Sequence, residues 1–334
     1  MRLSEKLYSF YFKNNIPLFV SLEVTRRCVN SCLHCYLVET HNKNYKSERE
    51  LSLGEIKRIF KELKEIGTIF INITGGEPLL RKDISNIIKL AIEHKFYVKL
   101  FSSLNCDFKK IKDIYDIGLR DMDVSLYGSK TIHNQITAND SFDLTVDNIK
   151  KAKKLGFRIT VKTPVMRQNA GELKWIKKFA KDNYLDFKID PIITPRNDGD
   201  LSCAELSVSD FKFLKNFKNG ILKSYDNSFD KIDYVPCGAV RSVIGIDSYG
   251  NVLPCLAFPF SLGSLKENKI KDILKSEQAV KLRKKLEMEP EKCIKCNYRT
   301  ICSRCPGISW LYGKDACYVY EEACRVSKEL SRIL

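Results

Sequence analysis

The sequence lacks an apolar stretch long enough to cross a membrane, and its first residues form no signal-peptide pattern. These absences predict a protein without membrane contact that stays in the cytoplasm, where thiols are kept reduced. Lys and Arg number 57 against 41 Asp and Glu, giving a net charge of +16. The basic residues form no long run and no nucleic-acid-binding motif is present, so we expect no nucleic-acid partner, although an acidic peptide is compatible with the charge.

Cysteine, in contrast, is abundant: 13 of the 334 residues are cysteines. In a reducing compartment, this number favours metal binding over disulfides. The hydrophobic content of 44% and the length are sufficient for a sizeable buried core.

Three of these cysteines, Cys28, Cys32 and Cys35, form a CxxxCxxC run directly after the apolar segment 18–24. Four thiolates normally hold a [4Fe–4S] cube, so three leave one iron free to bind another ligand. The alternatives are a zinc site closed by His34 or His41, or three unconnected thiols.

A second motif, Gly75-Gly76-Glu77-Pro78, follows the β-branched run 68–74, which predicts a buried parallel strand. Glycine allows the backbone to turn tightly against a ligand, and Glu77 supplies a carboxylate for an ammonium group. By itself, the motif would indicate only a turn between a strand and a helix.

The two motifs, about one βα unit apart, resemble those of the radical S-adenosylmethionine (SAM) enzymes. The resemblance implies that SAM chelates the open iron and that the G-G-E-P segment receives its amino group. Ser102 and Ser125 align with positions that bind the SAM ribose and carboxylate. Relatives often have an arginine after the fourth strand. Residues 132–137 contain none, and Lys162 is the substitute we consider.

Helical and strand patterns alternate after the cysteine run. Six strands separated by helices imply parallel pairing, and six units are too few for a closed eight-stranded barrel. We therefore predict an α/β fold, a partial (β/α)6 TIM-type barrel. The predicted strands are 18–24, 68–74, 96–101, 121–126, 158–163 and 185–189, and the helices are 53–66, 84–94, 108–117, 142–155 and 172–183.

Ligands of such folds bind at the carboxyl ends of the strands. Arg196, Asp198 and Asp200 follow the sixth strand in the segment T-P-R-N-D-G-D. We expect them to face the substrate, although the composition is also typical of a surface turn.

The C-terminal third is rich in cysteine and reads C-x12-G-x4-C, then C-x2-C-x5-C-x2-C, then distal cysteines. This pattern resembles the SPASM extension of radical SAM enzymes, with a last gap of two residues rather than three. The resemblance implies two auxiliary clusters, the first held by Cys237, Cys255 and Cys305. The second would be held by Cys293, Cys296 and Cys302, closed by Cys324 or Cys317.

Alternatives for this region remain open. Paired cysteines also occur in zinc ribbons. The first auxiliary cluster has no upstream cysteine in 232–236, so it keeps an open iron unless Cys203 or Cys317 fills the position. Cys106 is expected to be a buried apolar residue.

The expected domains are a lead-in (1–17), a radical SAM partial barrel (18–200), a linker or helical bridge (201–235) and a loop-rich, cysteine-rich SPASM domain (236–334). The resemblance implies an enzyme that cleaves SAM reductively to a 5′-deoxyadenosyl radical and modifies a peptide or protein, by cross-linking or epimerisation. The alternatives are sulfatase maturation, synthesis of a small redox cofactor, or a non-catalytic iron–sulfur or zinc scaffold. Flavodoxin or ferredoxin would donate electrons. The short lead-in leaves leader recognition to a separate protein or to the basic surface.

Overall fold

The structure is a computed structural model that describes residues 3–38, 49–217, 237–302 and 304–332. His41, most of the expected linker (218–235) and the first residue of the expected SPASM domain, at position 236, lie outside the described residues. None of the described helices is long and apolar enough to cross a membrane.

Six parallel strands run in chain order across one sheet, which confirms the predicted α/β fold with an unclosed barrel. Each strand pairs with the next along the chain, as helical crossovers require. The strands are β1 (Phe19–Glu23), β2 (Phe70–Thr74), β3 (Tyr97–Ser102), β4 (Asp121–Ser125), β5 (Arg158–Pro164) and β6 (Asp186–Asp190).

The helices of the first half cover this sheet. The predicted five are present with ends shifted by one residue at most, and α1 and α5 were not predicted. They are α1 (Leu3–Lys13), α2 (Leu53–Glu65), α3 (Ile84–Glu93), α4 (Phe108–Asp116), α5 (Lys130–Thr137), α6 (Phe142–Leu155) and α7 (Leu173–Asp182). Helix α2 begins at a reciprocal cap, in which Ser52 and Glu55 each bind the other's backbone N–H.

The cysteine-rich region contributes a seventh parallel strand, which the sequence did not predict. Strand β7 (Val243–Ile246) pairs with β1 on the side opposite to β2. Strands β8 (Asn251–Leu253) and β9 (Gly263–Ser264) extend the sheet in antiparallel orientation. The C-terminal region therefore belongs to the same sheet as the barrel.

The rest of this region is more helical than the loop-rich domain we expected. Its helices are α8 (Ile270–Lys275), α9 (Glu277–Glu287), α10 (Glu291–Ile294), α11 (Pro306–Gly313) and α12 (Glu321–Ser331). Val326 and Leu330 of α12 are buried in one apolar cluster with Val161 of β5 and Ile176 of α7. The C-terminal region thus packs against both ends of the open barrel sheet.

Candidate functional site

The G-G-E-P segment lies directly against the start of the cysteine run. The N–H groups of Gly76 and Glu77 donate to the carbonyl oxygens of Thr25 and Arg27, both at 2.8 Å, which continues the β1–β2 pairing beyond the strands. A Cβ atom on Gly75 would lie 2.2 Å from the Thr25 oxygen, and one on Gly76 2.3 Å from the Arg27 oxygen. In the structure these glycines allow close approach of the chain's own backbone, and approach of a ligand to them stays a prediction.

Glu77 is fully buried and joins this segment to the end of β3. Its Oε1 accepts hydrogen bonds from the Ser102 hydroxyl (2.7 Å) and the Leu79 N–H (3.1 Å). Its Oε2 accepts from the N–H (2.8 Å) and the hydroxyl (2.6 Å) of Ser103. These four donors occupy the acceptor positions of an ionised carboxylate. Contact of Glu77 with an ammonium group stays a prediction, and it would require one of these bonds to be exchanged.

The cysteine run itself is an irregular loop fixed by backbone bonds to the end of α5. The N–H groups of Ser31 and Leu33 donate to the carbonyl oxygens of Thr137 and Ile136, at 3.0 and 2.9 Å. The Asn30 side chain also accepts from the Asn139 amide, at 2.9 Å. Helix α5, which the sequence did not predict, therefore positions the loop.

The thiols of Cys28, Cys32 and Cys35 are close enough for their charges to influence one another. Burial raises the pKa of the Cys28 thiol to about 11 and that of Cys32 further, and the neighbouring thiols add to both shifts. Metal ligation requires thiolates, so a metal must displace these protons. Three neighbouring thiols are a donor set that suits a [4Fe–4S] cluster with one open iron.

Charged side chains bind the segments next to the cysteine loop through hydrogen bonds and an ion pair. The Tyr36 hydroxyl donates to Glu23 at 2.6 Å, and Glu23 forms an ion pair with Arg26 at 2.9 Å. The Arg81 guanidinium, three residues after the G-G-E-P motif, donates to the carbonyl oxygens of Val24 and Leu51, both at 2.6 Å.

A cavity of about 530 Å³ opens next to the loop at the carboxyl ends of β3–β6. His34 and Tyr36 of the loop form one wall, and residues 188–194 form another. The predicted Ser125 and Lys162 line this cavity, whereas Ser102 is bonded to Glu77. The Lys162 ammonium lies 3.5 Å from an oxygen of Asp123 and 5.1 Å from the Phe101 ring centroid. The cavity has the position at which a ligand of the loop would bind.

Asp190, which the sequence analysis did not select, is the only carboxylate among the described residues that line this cavity. Its Oδ1 accepts from the Ile192 N–H at 3.2 Å. Desolvation raises the pKa of its carboxyl group, and the Ile192 N–H and the Lys162 charge oppose that rise, although the residue as a whole is exposed. Asp190 also raises the pKa of the Cys305 thiol through its charge. Asp190 therefore lines the cavity and is near enough to Cys305 for its charge to act on that thiol.

The rim segment predicted to face the substrate folds as a turn. Arg196 forms an ion pair with Asp200 at 2.8 Å, and Asp198 accepts from the Asp200 N–H at 2.9 Å. Asn197, between them, contacts the cysteine loop instead. Its N–H donates to the Tyr36 carbonyl at 2.9 Å, and its side-chain oxygen accepts from the Val38 N–H at 3.2 Å. A substrate role for Arg196 and Asp198 stays a prediction.

Most of the C-terminal cysteines fall into two groups, because thiols within a group raise one another's pKa through their charges. Cys237, Cys255 and Cys305 form one group, and burial is the main cause of their raised pKa values. Cys293, Cys296, Cys302 and Cys324 form the other. The Cys317 thiol contacts the carbonyl oxygens of Lys285 (3.9 Å) and Met288 (3.7 Å). This arrangement favours Cys324 over Cys317 as the fourth ligand of the second group.

The two remaining cysteines are buried in different places. Cys106 packs in the main apolar core, as a small apolar residue does. Cys203 contacts the Thr194 carbonyl at 3.4 Å. Among the described residues, no three His, Cys, Asp or Glu side chains surround a point at which a single metal ion would sit.

Two families match this sequence: the Radical SAM superfamily over residues 22–180 and SPASM, the iron-sulfur cluster-binding domain, over residues 237–306. The chain therefore contains a radical SAM domain and a C-terminal SPASM domain. These two domains imply SAM and [4Fe–4S] clusters as cofactors, and the radical SAM domain indicates an enzyme.

Individual relatives are distant. A PqqA peptide cyclase of Bradyrhizobium diazoefficiens is 28% identical over 50% of this chain, and the chain spans only 44% of that protein. A GTP 3′,8-cyclase of Sulfurimonas denitrificans is 24% identical over 82% of this chain and 90% of its own length. An AdoMet-dependent heme synthase of Methanosarcina barkeri is 23% identical over 92% of this chain and 96% of its own length.

Solved structures share the fold at low identity. Streptococcus suis SuiB bound to precursor peptide SuiA matches with a TM-score of 0.72 and 17% identity, covering 96% of this chain and 80% of SuiB. The AdoMet-bound anSMEcpe matches with a TM-score of 0.75 and 18% identity, covering 95% of this chain and 93% of that protein.

Proposed function

We propose that this protein is a radical SAM peptide maturase. It would cleave SAM reductively and use the resulting radical to modify a peptide or protein. The observation that carries the proposal is the cavity beside the CxxxCxxC loop, whose Asp190 also influences Cys305 of the first C-terminal group. A substrate in this cavity would lie between the two sites at which clusters are implied.

Peptide substrates are supported by the relatives. The PqqA cyclase acts on a peptide by name, and SuiB has been solved with its precursor peptide. The basic surface of this chain, with its net charge of +16, suits an acidic peptide or leader segment. A separate leader-recognition protein and a flavodoxin or ferredoxin as electron donor are part of the proposal.

The residues have distinct proposed roles. Cys28, Cys32 and Cys35 would hold the SAM-binding cluster, and the segment Gly75–Pro78 with Ser125 and Lys162 would hold SAM. When bound, these cofactors supply a 5′-deoxyadenosyl radical that abstracts hydrogen from a C–H bond. Asp190 would accept a hydrogen bond or a proton from the substrate. Arg196 and Asp198 would meet the substrate at the rim.

The proposed C-terminal ligand sets follow the two groups of thiols. Cys237, Cys255 and Cys305 would hold the first auxiliary cluster, and Cys293, Cys296, Cys302 and Cys324 the second. Cys317 is outside both proposed sets because its thiol contacts two backbone carbonyls elsewhere.

The test of SAM cleavage uses the full chain, reconstituted anaerobically with iron and sulfide. We expect 5′-deoxyadenosine on addition of dithionite and SAM, measured by liquid chromatography and mass spectrometry. The triple variant C28A/C32A/C35A should form none. Wild-type protein with a full iron complement but no 5′-deoxyadenosine would reject the enzyme in favour of a scaffold.

The test of the substrate class uses peptides encoded by genes beside this one, in the same reaction. We expect a mass change in such a peptide that depends on SAM. A second candidate is conversion of a small molecule, favoured by the long alignments with the GTP 3′,8-cyclase and the heme synthase. Turnover of GTP or of a porphyrin, without a change in any peptide, would support that candidate.

A further inference from the structure

The turn after β6 contacts the cysteine loop through one residue that has no assigned role. Asn197 makes two bonds to the segment that follows Cys35: its N–H donates to the Tyr36 carbonyl (2.9 Å), and its side-chain oxygen accepts the Val38 N–H (3.2 Å). Asn197 and Val38 are 159 positions apart in the chain. The loop flank is therefore fixed by an element from the far side of the barrel.

The turn is held in shape by its own hydrogen bonds and an ion pair. The Arg196 N–H donates to the Asp200 carbonyl at 3.1 Å, and the Asp200 side chain accepts from the N–H (2.8 Å) and the hydroxyl (2.9 Å) of Ser202. Arg196 also pairs with Asp200, as described above. The two contacts between Arg196 and Asp200 close the turn around Asn197, whereas Ser202 lies outside this closed segment.

The opposite flank of the loop has its own anchors. Ser31 and Leu33, which precede Cys35, are bound by the end of α5. On the Asn197 side of Cys35, Glu23 accepts a hydrogen bond from the Tyr36 hydroxyl. The remaining backbone of the segment, at Tyr36 and Val38, is the part that Asn197 binds. Cys35 lies between the two anchored flanks, so a change at Asn197 reaches the Cys35 thiol through one residue, Tyr36.

We propose that Asn197 is a positioning residue for the SAM-binding loop, and that it couples the substrate-side turn to the geometry of Cys35. This inference rests on the proposed function for its consequence, the binding of SAM. The structural part of the inference, that Asn197 holds residues 36–38 in place, does not depend on the proposed function. A ligand that moves the 194–200 turn would thereby act on the cysteine loop.

The first test needs neither a cluster nor SAM. Amide hydrogen exchange of the full chain without metal is compared between wild type and N197A, with peptides that contain residues 36–38. Loss of the side-chain acceptor should speed exchange of the Val38 amide about tenfold or more, since a bonded amide must open before it exchanges. N197D retains an acceptor oxygen and should be protected like wild type.

The matched control is S202A. It removes a hydrogen bond within the same turn but from a residue that makes no bond to the cysteine loop. Its residues 36–38 should exchange like wild type. If N197A leaves exchange of this segment unchanged, or if S202A speeds it equally, Asn197 does not hold the loop and the proposal is wrong. Should N197A not fold, N197S gives the same comparison with a side chain too short to reach Val38.

The second test uses the reconstituted protein and SAM as the probe. N197A should bind SAM at least fivefold more weakly than wild type, with equal iron and sulfide content and an unchanged melting temperature. N197D should restore the affinity. Faster exchange together with unchanged SAM affinity would overturn the coupling. If wild-type protein binds no SAM, the proposed function fails, while the exchange test still decides the role of Asn197.

Discussion

Gly76 lies against the backbone of Arg27 so closely that a Cβ atom would be 2.3 Å from the Arg27 carbonyl oxygen. The contact joins the segment after β2 to the start of the cysteine loop, and the Gly76 N–H donates to the neighbouring Thr25 carbonyl. Both segments are backbone at the carboxyl ends of β1 and β2, so neither can move without disturbing the pairing of these two strands.

The variant G76A should therefore be strongly destabilised. We expect the free energy of unfolding to fall by at least about 2 kcal/mol, because the added methyl group overpacks a rigid site. Urea unfolding monitored by circular dichroism measures the change. G54A is the control, since a Cβ there meets nothing within 4 Å and alanine is the better helix former. A G76A midpoint equal to that of wild type would contradict the steric argument.

Glu77 gives a second prediction, E77Q. The amide that replaces one carboxylate oxygen is a donor, and each Glu77 oxygen faces two donors in the structure. The loss should be about 1–3 kcal/mol of unfolding free energy. The exposed substitution E267Q should have no effect, and equal stability of E77Q and wild type would argue against this bonding pattern.

The two groups of C-terminal thiols predict different outcomes for C324S and C317S. C324S should reduce the iron content by up to about four atoms per chain, since Cys324 lies with three other proposed ligands of one cluster. C317S should retain the wild-type iron content. Iron and sulfide analysis of reconstituted protein measures both. The reverse result would assign Cys317 to the cluster.

His133 predicts how stability depends on pH. It is buried in α5, its Nδ1 faces the Tyr127 N–H at 3.4 Å and its Nε2 lies 3.1 Å from the Ser141 hydroxyl. Burial lowers its pKa to about 4, compared with about 6.5 in the unfolded chain. The unfolded state thus binds the proton more readily.

The His133 contribution should be complete above about pH 6.5 and should be lost as the pH falls towards 4. Between pH 7 and pH 5 the loss amounts to about 2 kcal/mol. Urea unfolding at the two pH values measures it, and H133Q should lose less stability than wild type over this interval. Parallel losses in wild type and H133Q would show that other groups are responsible.

Asp190 predicts a separation of two activities. D190N should slow modification of the peptide about tenfold or more if the carboxylate accepts a proton from it, while 5′-deoxyadenosine formation without peptide stays near the wild-type rate. D186N is the control, on the same strand but outside the cavity lining. Equal peptide rates in wild type and D190N would exclude this role.

Local patterns predicted the first half of the fold well. The six strands and five helices have clear apolar periodicity, and parallel pairing follows from their alternation. Helix α5 was missed because its sequence, KTIHNQIT, is rich in β-branched and amide residues of weak helix propensity. Its helicity depends on burial of His133 and Ile136 against Tyr127 and neighbouring residues.

Non-local contacts were beyond the reach of the sequence. No pattern indicates that Val243–Ile246 pairs with β1 or that Asn197 binds Val38, because both contacts join segments far apart in the chain. Asp190 had a usable signal, since it lies at the carboxyl end of a barrel strand, where ligands of such folds bind. The cysteine spacing located the candidate ligands, but only the fold separates Cys317 from Cys324.

The pairing of β7 with β1 has a practical consequence for protein engineering. The first barrel strand has neighbours on both sides only when the later part of the chain is present. In a fragment that stops before residue 237, the backbone N–H and C=O groups of β1 that face β7 would lack partners. Such an unpaired strand is prone to self-association. Exchanging the cysteine-rich half with that of another family member would therefore require matching the strand interface as well as the cluster ligands.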